Sequence, residues 1–413
     1  MDIPMTFATK CLRDARVGLL FIALAGCVGS PVPQSGNANV DGGSSQDGGS
    51  LQDSATAIVA GNAHTCALVS GGVQCWGYNY SGQLGTNGRQ NNSVPSGVIG
   101  LGPATGVTAI AAGAAHTCAL VSGGVRCWGD NTEGQLGVNS LKSHVPVQVA
   151  GLGPSSEVAA IAAGGAHTCA LQNGGVLCWG SNVWGELGNN SWANSRRPVP
   201  VTGLAPPNSV TAIAAGSDQT CAVANGRVLC WGWNQFGDLG NDSTVQSNTP
   251  VAVVGLGSAS ITGIAGGGGF TCAFGNGGVQ CWGGEGGYGD LGNNSQGHSL
   301  VPVQVTGLGP TSRVSSMGLG WQHACAVNLG GVQCWGNNDT GQLGNNSTAI
   351  SRMPVAVLGV PQSDATAVAA GLHHTCALVN NAVWCWGYNE FGQLGNNSTD
   401  ASYLPVPVAA WSR

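Results

Sequence analysis

From Ala55 onward, short runs of Val, Ile, Ala and Leu alternate with turns of Gly, Asn, Ser and Asp. Runs this short, bounded by turn residues, predict strands rather than helices. The most regular pattern is His116-Thr117-Cys118-Ala119-Leu120-Val121-Ser122-Gly123-Gly124-Val125-Arg126-Cys127-Trp128-Gly129. Counting inward from the cysteines pairs Ala119 with Arg126, Leu120 with Val125 and Val121 with Gly124. Ser122-Gly123 is then a two-residue hairpin loop, in which glycine tolerates a positive φ. Cys118 and Cys127 fall on a non-hydrogen-bonded pair, where opposed Cα atoms lie about 4.5 Å apart and a disulfide can form.

The hairpin recurs seven times. Its expected disulfides join Cys66 with Cys75, Cys118 with Cys127, Cys169 with Cys178 and Cys221 with Cys230. The last three join Cys272 with Cys281, Cys325 with Cys334 and Cys376 with Cys385. Successive first cysteines are 52, 51, 52, 51, 53 and 51 residues apart. One unit runs Val107-Thr108-Ala109-Ile110-Ala111-Ala112-Gly113, then the hairpin, then Gly134-Gln135-Leu136-Gly137, then Pro146-Val147-Gln148-Val149. These segments supply four candidate strands per unit of about 50 residues, which predicts an all-β fold, a seven-bladed β-propeller of four-stranded blades. No Pro-Val-x-Val strand precedes the first unit, and a spare one, Pro405-Val406-Pro407-Val408, follows the last. This predicts that the C-terminal strand joins the first blade and closes the ring, hiding exposed edges. An open solenoid is the alternative, and it would carry atypical end repeats.

Ahead of the repeats, Lys10, Arg13 and Arg16 precede an apolar run from Val17 to Ala25. A basic flank and a short apolar core predict a secretory signal peptide over residues 1–26; the run is too short to span a membrane. Leu24-Ala25-Gly26-Cys27 resembles the lipobox of bacterial lipoproteins, which implies lipidation of Cys27 as the first mature residue and an exported protein anchored to the cell envelope, at the outer membrane or cell surface. An ordinary signal peptide with a cysteine near its cut site is the alternative. Residues 27–54 hold Gly, Ser, Asn, Gln, Asp and Pro with almost nothing to bury, a flexible tether. The propeller occupies residues 55–413.

Composition narrows the function. Charged residues make up 7% of the chain, against about 25% in ordinary globular domains. Sixteen cysteines at regular spacing favour an oxidising compartment. Of the 18 acids and 12 bases, residues 1–26 hold two and three, leaving sixteen and nine, a net charge of −7. That balance speaks against a nucleic-acid partner, whose phosphates need a basic face.

The pattern Gly-x-x-His-Thr-x-Ala-Leu…Gly-Gly-Val-x-x-Trp-Gly-x-Asn-x-x-Gly-x-Leu-Gly…Pro-Val resembles the regulator of chromosome condensation repeat, from Ala55 to about Trp411. The resemblance implies a seven-bladed β-propeller. It implies little about activity, because that propeller serves unrelated purposes.

Within the repeat, histidines stand two residues before the first cysteine at His64, His116, His167, His323 and His374, with Gln219 and Phe270 in the other two units. A metal ring around the axis is one reading; a hydrogen-bonding role at the strand start, which tolerates Gln and Phe, is the better one. Trp76, Trp128, Trp179, Trp231, Trp282, Trp335 and Trp386 recur once per unit, as packing residues between blades would. No nucleophile, base and orienter come together, the acids are few and scattered, and no cofactor or metal is expected.

The loop between Trp-Gly and Gly-x-Leu-Gly varies. It carries Tyr78, Tyr80, Trp184, Trp233, Phe236, Tyr288, Tyr388 and Phe391, concentrated in units three to five and in units seven and one. Aromatic side chains on one rim are what a protein or polysaccharide partner grips, unless they pack on neighbouring loops instead. The expectation is a monomeric, non-enzymatic interaction module. Two alternatives remain: guanine-nucleotide exchange, and inhibition of a secreted enzyme such as a β-lactamase. The first follows from the resemblance but lacks room for the family's protruding β-wedge; the second follows from a similar propeller in a bacterial inhibitor.

Overall fold

The computed structural model describes residues 54–206, 209–256 and 260–411. The hairpin takes the register its pattern predicts, with Cys118 opposite Cys127, Leu120 opposite Val125 and Val121 opposite Gly124. Ser122 and Gly123 both have positive φ, 51° and 76°, the backbone of a type I′ turn.

All seven expected disulfides are formed. They join Cys66 to Cys75, Cys118 to Cys127, Cys169 to Cys178 and Cys221 to Cys230. The remaining three join Cys272 to Cys281, Cys325 to Cys334 and Cys376 to Cys385. Their Cα atoms are 4.0–4.1 Å apart, closer than the roughly 4.5 Å of an unlinked pair at this position, because a covalent bond joins the two side chains.

Strands β1 (Ala55–Ala60), β2 (His64–Val69), β3 (Gly72–Gly77) and β4 (Asn92–Gly97) form the first blade, antiparallel and in chain order. Six more four-stranded sheets repeat it. Every residue of β2 is buried, because each blade face is covered by a neighbour, while β4 is half-exposed at the rim. This explains why the hairpin arms are apolar without alternation. The cores lie between blades: Trp128 of the second blade is fully buried among Cys75, Leu84, Val98 and Leu101 of the first.

Closure differs from the expectation. The last blade comprises β25 (Ala365–Ala370), β26 (His374–Val379), β27 (Ala382–Gly387) and β28 (Ser402–Pro407), and β28 pairs with β27 of its own blade. The first blade is already complete, since the outer strand follows the hairpin in each unit rather than preceding the next. The ring is closed by packing: Ala55, Ile58 and Trp76 share one core with Ala367, Leu378 and Leu394. What the C-terminus brings to the first blade is the Trp411 ring, 5.9 Å from Trp76. Trp411 occupies the place that Leu101 fills at the next border.

The innermost strands line a central channel mainly with Ala, Ile, Val and Gly, with no titratable side chain among them. The residues read as signal peptide, Cys27 and the tether up to residue 53 lie outside the described residues.

Candidate functional site

The repeated polar residues build the frame. His64 Nε2 lies 2.9 Å from Thr117 Oγ1 of the next blade, and Thr117 donates to the Gln83 carbonyl at 2.9 Å. The Trp128 indole donates to that same carbonyl at 2.8 Å. Since the Thr117 proton is committed to Gln83, the His64 ring must donate through Nε2. Burial pushes its pKa down to about 4. The ring also rests on Gly61, where a Cβ would sit 2.2 Å from His64 Cε1. The same pairing links His116 to Thr168, His167 to Thr220, His323 to Thr375 and His374 to Thr65. The histidines therefore bridge blades and do not converge on the axis.

The relay fails in one arc. Gln219 reaches the Phe270 carbonyl at 3.1 Å, and Phe270 faces a blade in which Ala324 replaces the threonine, so both partners there are apolar. Replacing both members of a buried polar pair costs little, whereas replacing one orphans the other.

The turn preceding β2 and the loop after β3 lie on the same face, joined in the first blade by a backbone bond from Tyr78 N to Ala63 O at 2.8 Å, with counterparts around the ring. All eight expected aromatics sit on this face. Tyr80 is 63% exposed and the other seven are half-buried. Four of them pack on one another across blade borders. Trp184 and Trp233 meet edge-on at 4.3 Å, and Tyr78 meets Phe391 at 4.8 Å. Tyr388 extends the second cluster, its hydroxyl bonded to Glu390, which raises its pKa to about 12. Phe236 lies 6.2 Å from His298, and Tyr288 stands in the loop of the fifth blade.

Acids between those clusters escaped the sequence reading. The variable residue of Gly-x-Leu-Gly is Gln83, Gln135, Gln342 and Gln393 in four blades, but Glu186, Asp238 and Asp290 in the three consecutive ones. A Gln here caps the loop, as Gln393 does for Phe391 N at 3.0 Å. Asp238 caps Phe236 N at 3.2 Å through Oδ2, leaving Oδ1 buried with no partner; Asp290 Oδ1 is likewise unpaired. Burial pushes both carboxyls up to about 7, and Glu285 adds repulsion to each. Burial also raises Glu186 and Asp218. The signal was a charge change at one repeat position, hidden by treating the motif as a turn.

The fifth blade departs furthest. Elsewhere an asparagine knits the loop: Asn234 accepts from Leu239 N at 2.8 Å and donates to the Ser243 and Val245 carbonyls. Here Glu285 stands at that position, exposed, within a run in which Gly283, Gly284, Gly286, Gly287 and Gly289 all have positive φ. Among the described residues no three His, Cys, Asp or Glu side chains are placed to hold a metal ion.

Residues 33–357 match the family model of the RCC1-like domain. The chain belongs to the RCC1-like domain family. Residues 365–393 and 380–412 of this RCC1-like propeller match the regulator of chromosome condensation (RCC1) repeat. The ultraviolet-B receptor UVR8 of Arabidopsis thaliana is 31% identical over 313 residues, covering 74% of this chain and 70% of the receptor. The human E3 ubiquitin-protein ligase HERC2 is 30% identical over 351 residues, which is 83% of this chain and 7% of the ligase. Human WBSCR16 superposes with a TM-score of 0.68 at 23% identity, over 81% of this chain and 93% of that one. Yeast RCC1, solved bound to Kap60, gives 0.72 at 20% identity over 92% and 91%. These two share the fold.

Proposed function

We propose that this RCC1-like propeller is a non-enzymatic interaction module, exported and held at a bacterial cell envelope by a lipidated Cys27, that presents the aromatic face to a protein partner. The observation that carries the reading is the Trp184–Trp233 pair, two half-buried rings from adjacent blades on one face. Paired aromatics offer large contact area at small entropic cost, and they anchor protein interfaces out of proportion to their number. The disulfides fit export, because cytosolic thiols are kept reduced. The relatives add support: a receptor, and a ligase in which the matched segment is a small share of the whole.

The test compares the mature chain with a Trp184→Ala, Trp233→Ala, Tyr388→Ala variant in cross-linked envelope fractions. Loss of a specific cross-linked protein in the variant, with unchanged circular dichroism, is expected. Equal capture by both sinks the reading. Incorporation of labelled palmitate, abolished in Cys27→Ser, tests the anchor separately.

A further inference from the structure

Departures from the repeat are not spread around the ring. Gln219, Phe270, Ala324, Glu186, Asp238, Asp290 and the glycine-rich loop all fall in blades three to six. The acids among them form an arc on the same face as the Trp184–Trp233 pair. Asp218 and Glu285 lie at its surface, half-buried and exposed, and Asp238 and Asp290 form its floor, 0% and 3% exposed. The hydrogen bonds these carboxylates accept from side chains come from Ser181 and Gln322, neither of them a cation.

The arrangement opposes the fold. A buried carboxylate with an unpartnered oxygen is costly; the amide used in four other blades carries no charge to bury, although Gln342 Nε2 also lacks a partner. Glu285 worsens it, because Asp238 Oδ1 and Glu285 Oε1 both lie within 4 Å of one point above Gly269, 3.7 and 3.9 Å away. In other blades an alanine, Asp218, Gln322 or His373 side chain begins at that point. A positive charge brought to this face relieves the repulsion. The carboxylates do not converge as metal ligands do, so a larger organic cation suits the spacing better than an ion.

We propose that this arc docks a basic segment of a protein partner, with Lys or Arg side chains set against Asp218 and Glu285 and beside the Trp184–Trp233 pair. Trp233 N donates to the Asp218 backbone carbonyl at 2.9 Å, which joins its loop to the turn that carries Asp218, and Trp184 N donates to Glu186 Oε2 of its own loop at 2.8 Å. A guanidinium on these rings also gains cation–π attraction. Asp238 and Asp290 act from below: ionised they deepen the negative potential, and protonated they weaken it. The other charged or titratable groups on adjoining loops include Asp242, Glu133, which accepts from Asn194 Nδ2, Asp339 beside His373, Arg196, which donates to the Thr132 carbonyl, Arg352, whose stem lies against Gly289, and His298 beside Phe236. The inference rests on the interaction-module reading and names its partner's chemistry.

The test uses the mature chain and a fluorescein-labelled hexa-arginine peptide, read by anisotropy. Binding is expected to weaken about tenfold in Asp218→Asn, Glu285→Gln, and to weaken again when the pH is lowered from about 8 to about 5.5, where the peptide keeps its charge. A charge-matched control, Glu157→Gln, Asp364→Asn on the opposite face, should bind as the wild type does. Equal weakening in the control, an unchanged affinity in the arc variant, or equal binding of a hexa-glutamate peptide overturns the proposal. Failure here, with partner capture still lost in the aromatic variant, leaves the interaction module standing.

Discussion

His374 Nε2 lies 2.9 Å from Thr65 Oγ1, although 309 residues separate them in the chain. The same contact joins residues 52 or 53 apart at four other borders, so the seam between last and first blades is built like those four. Trp76 completes it by donating to the Gln393 carbonyl at 2.9 Å.

Breaking the seam at one end should therefore orphan the other. Thr65→Ala is expected to cost about 1–3 kcal/mol, because the buried His374 ring loses its acceptor. Adding His374→Phe recreates the apolar pair that Phe270 and Ala324 form naturally and should recover part of the loss. Urea denaturation of the single and double variants gives the coupling; strict additivity would show that the pair does not interact.

The disulfides are expected to dominate stability. Each closes a loop of about ten residues, for which lost chain entropy gives roughly 2–3 kcal/mol. Cys118→Ser with Cys127→Ser should lower the melting temperature measurably. Since both sulfurs are fully buried, reductant should act on the native protein only as fast as it opens. Calorimetry with and without dithiothreitol reads both effects, and an unchanged melting temperature in the variant would refute the assignment.

Glycine at the strand end is a packing requirement. A Cβ at Gly113 would lie 2.2 Å from His116 Cε1 and 2.4 Å from the Gly164 carbonyl oxygen. Gly113→Ala should destabilise by about 1–3 kcal/mol or more through overpacking. Gly151→Ala is the contrast, since its position has open space and only the positive φ to oppose it. A larger loss at Gly151 in chemical denaturation would contradict the packing account.

Two sets of buried groups give stability opposite pH dependences. The five histidines have folded pKa values pushed by burial to about 3 or 4, below the ordinary 6.5, so the stability they hold when neutral is lost as pH falls from 6.5 toward 4. Asp238 and Asp290 sit at about 7, above the ordinary 3.8, so the stability of their protonated forms is lost as pH rises from about 4 to about 7. An Asp238→Asn, Asp290→Asn variant should be more stable than the wild type at neutral pH, and its advantage should shrink on acidification. Urea midpoints across this range decide it; a pH-independent difference would mean that burial of charge is not the cause.

The sequence by itself determined the blade. Cysteines nine apart on two apolar arms admit one hairpin register, and seven equal units admit few folds other than a ring. It also located the variable face, because a loop that changes while its frame repeats is free of the frame's constraints. Tertiary structure decided three things that depend on neighbours distant in the chain. Whether β28 served the first or last blade was a choice between two pairings that local pattern supports equally. Whether His64 bound a metal or a hydroxyl depended on Thr117, a residue of another blade. The change from Gln to Glu186, Asp238 and Asp290 is legible at one repeat position, but that Asp238 and Asp290 are buried in one arc with Asp218 and Glu285 was decided by neighbours that only the packed blades supply.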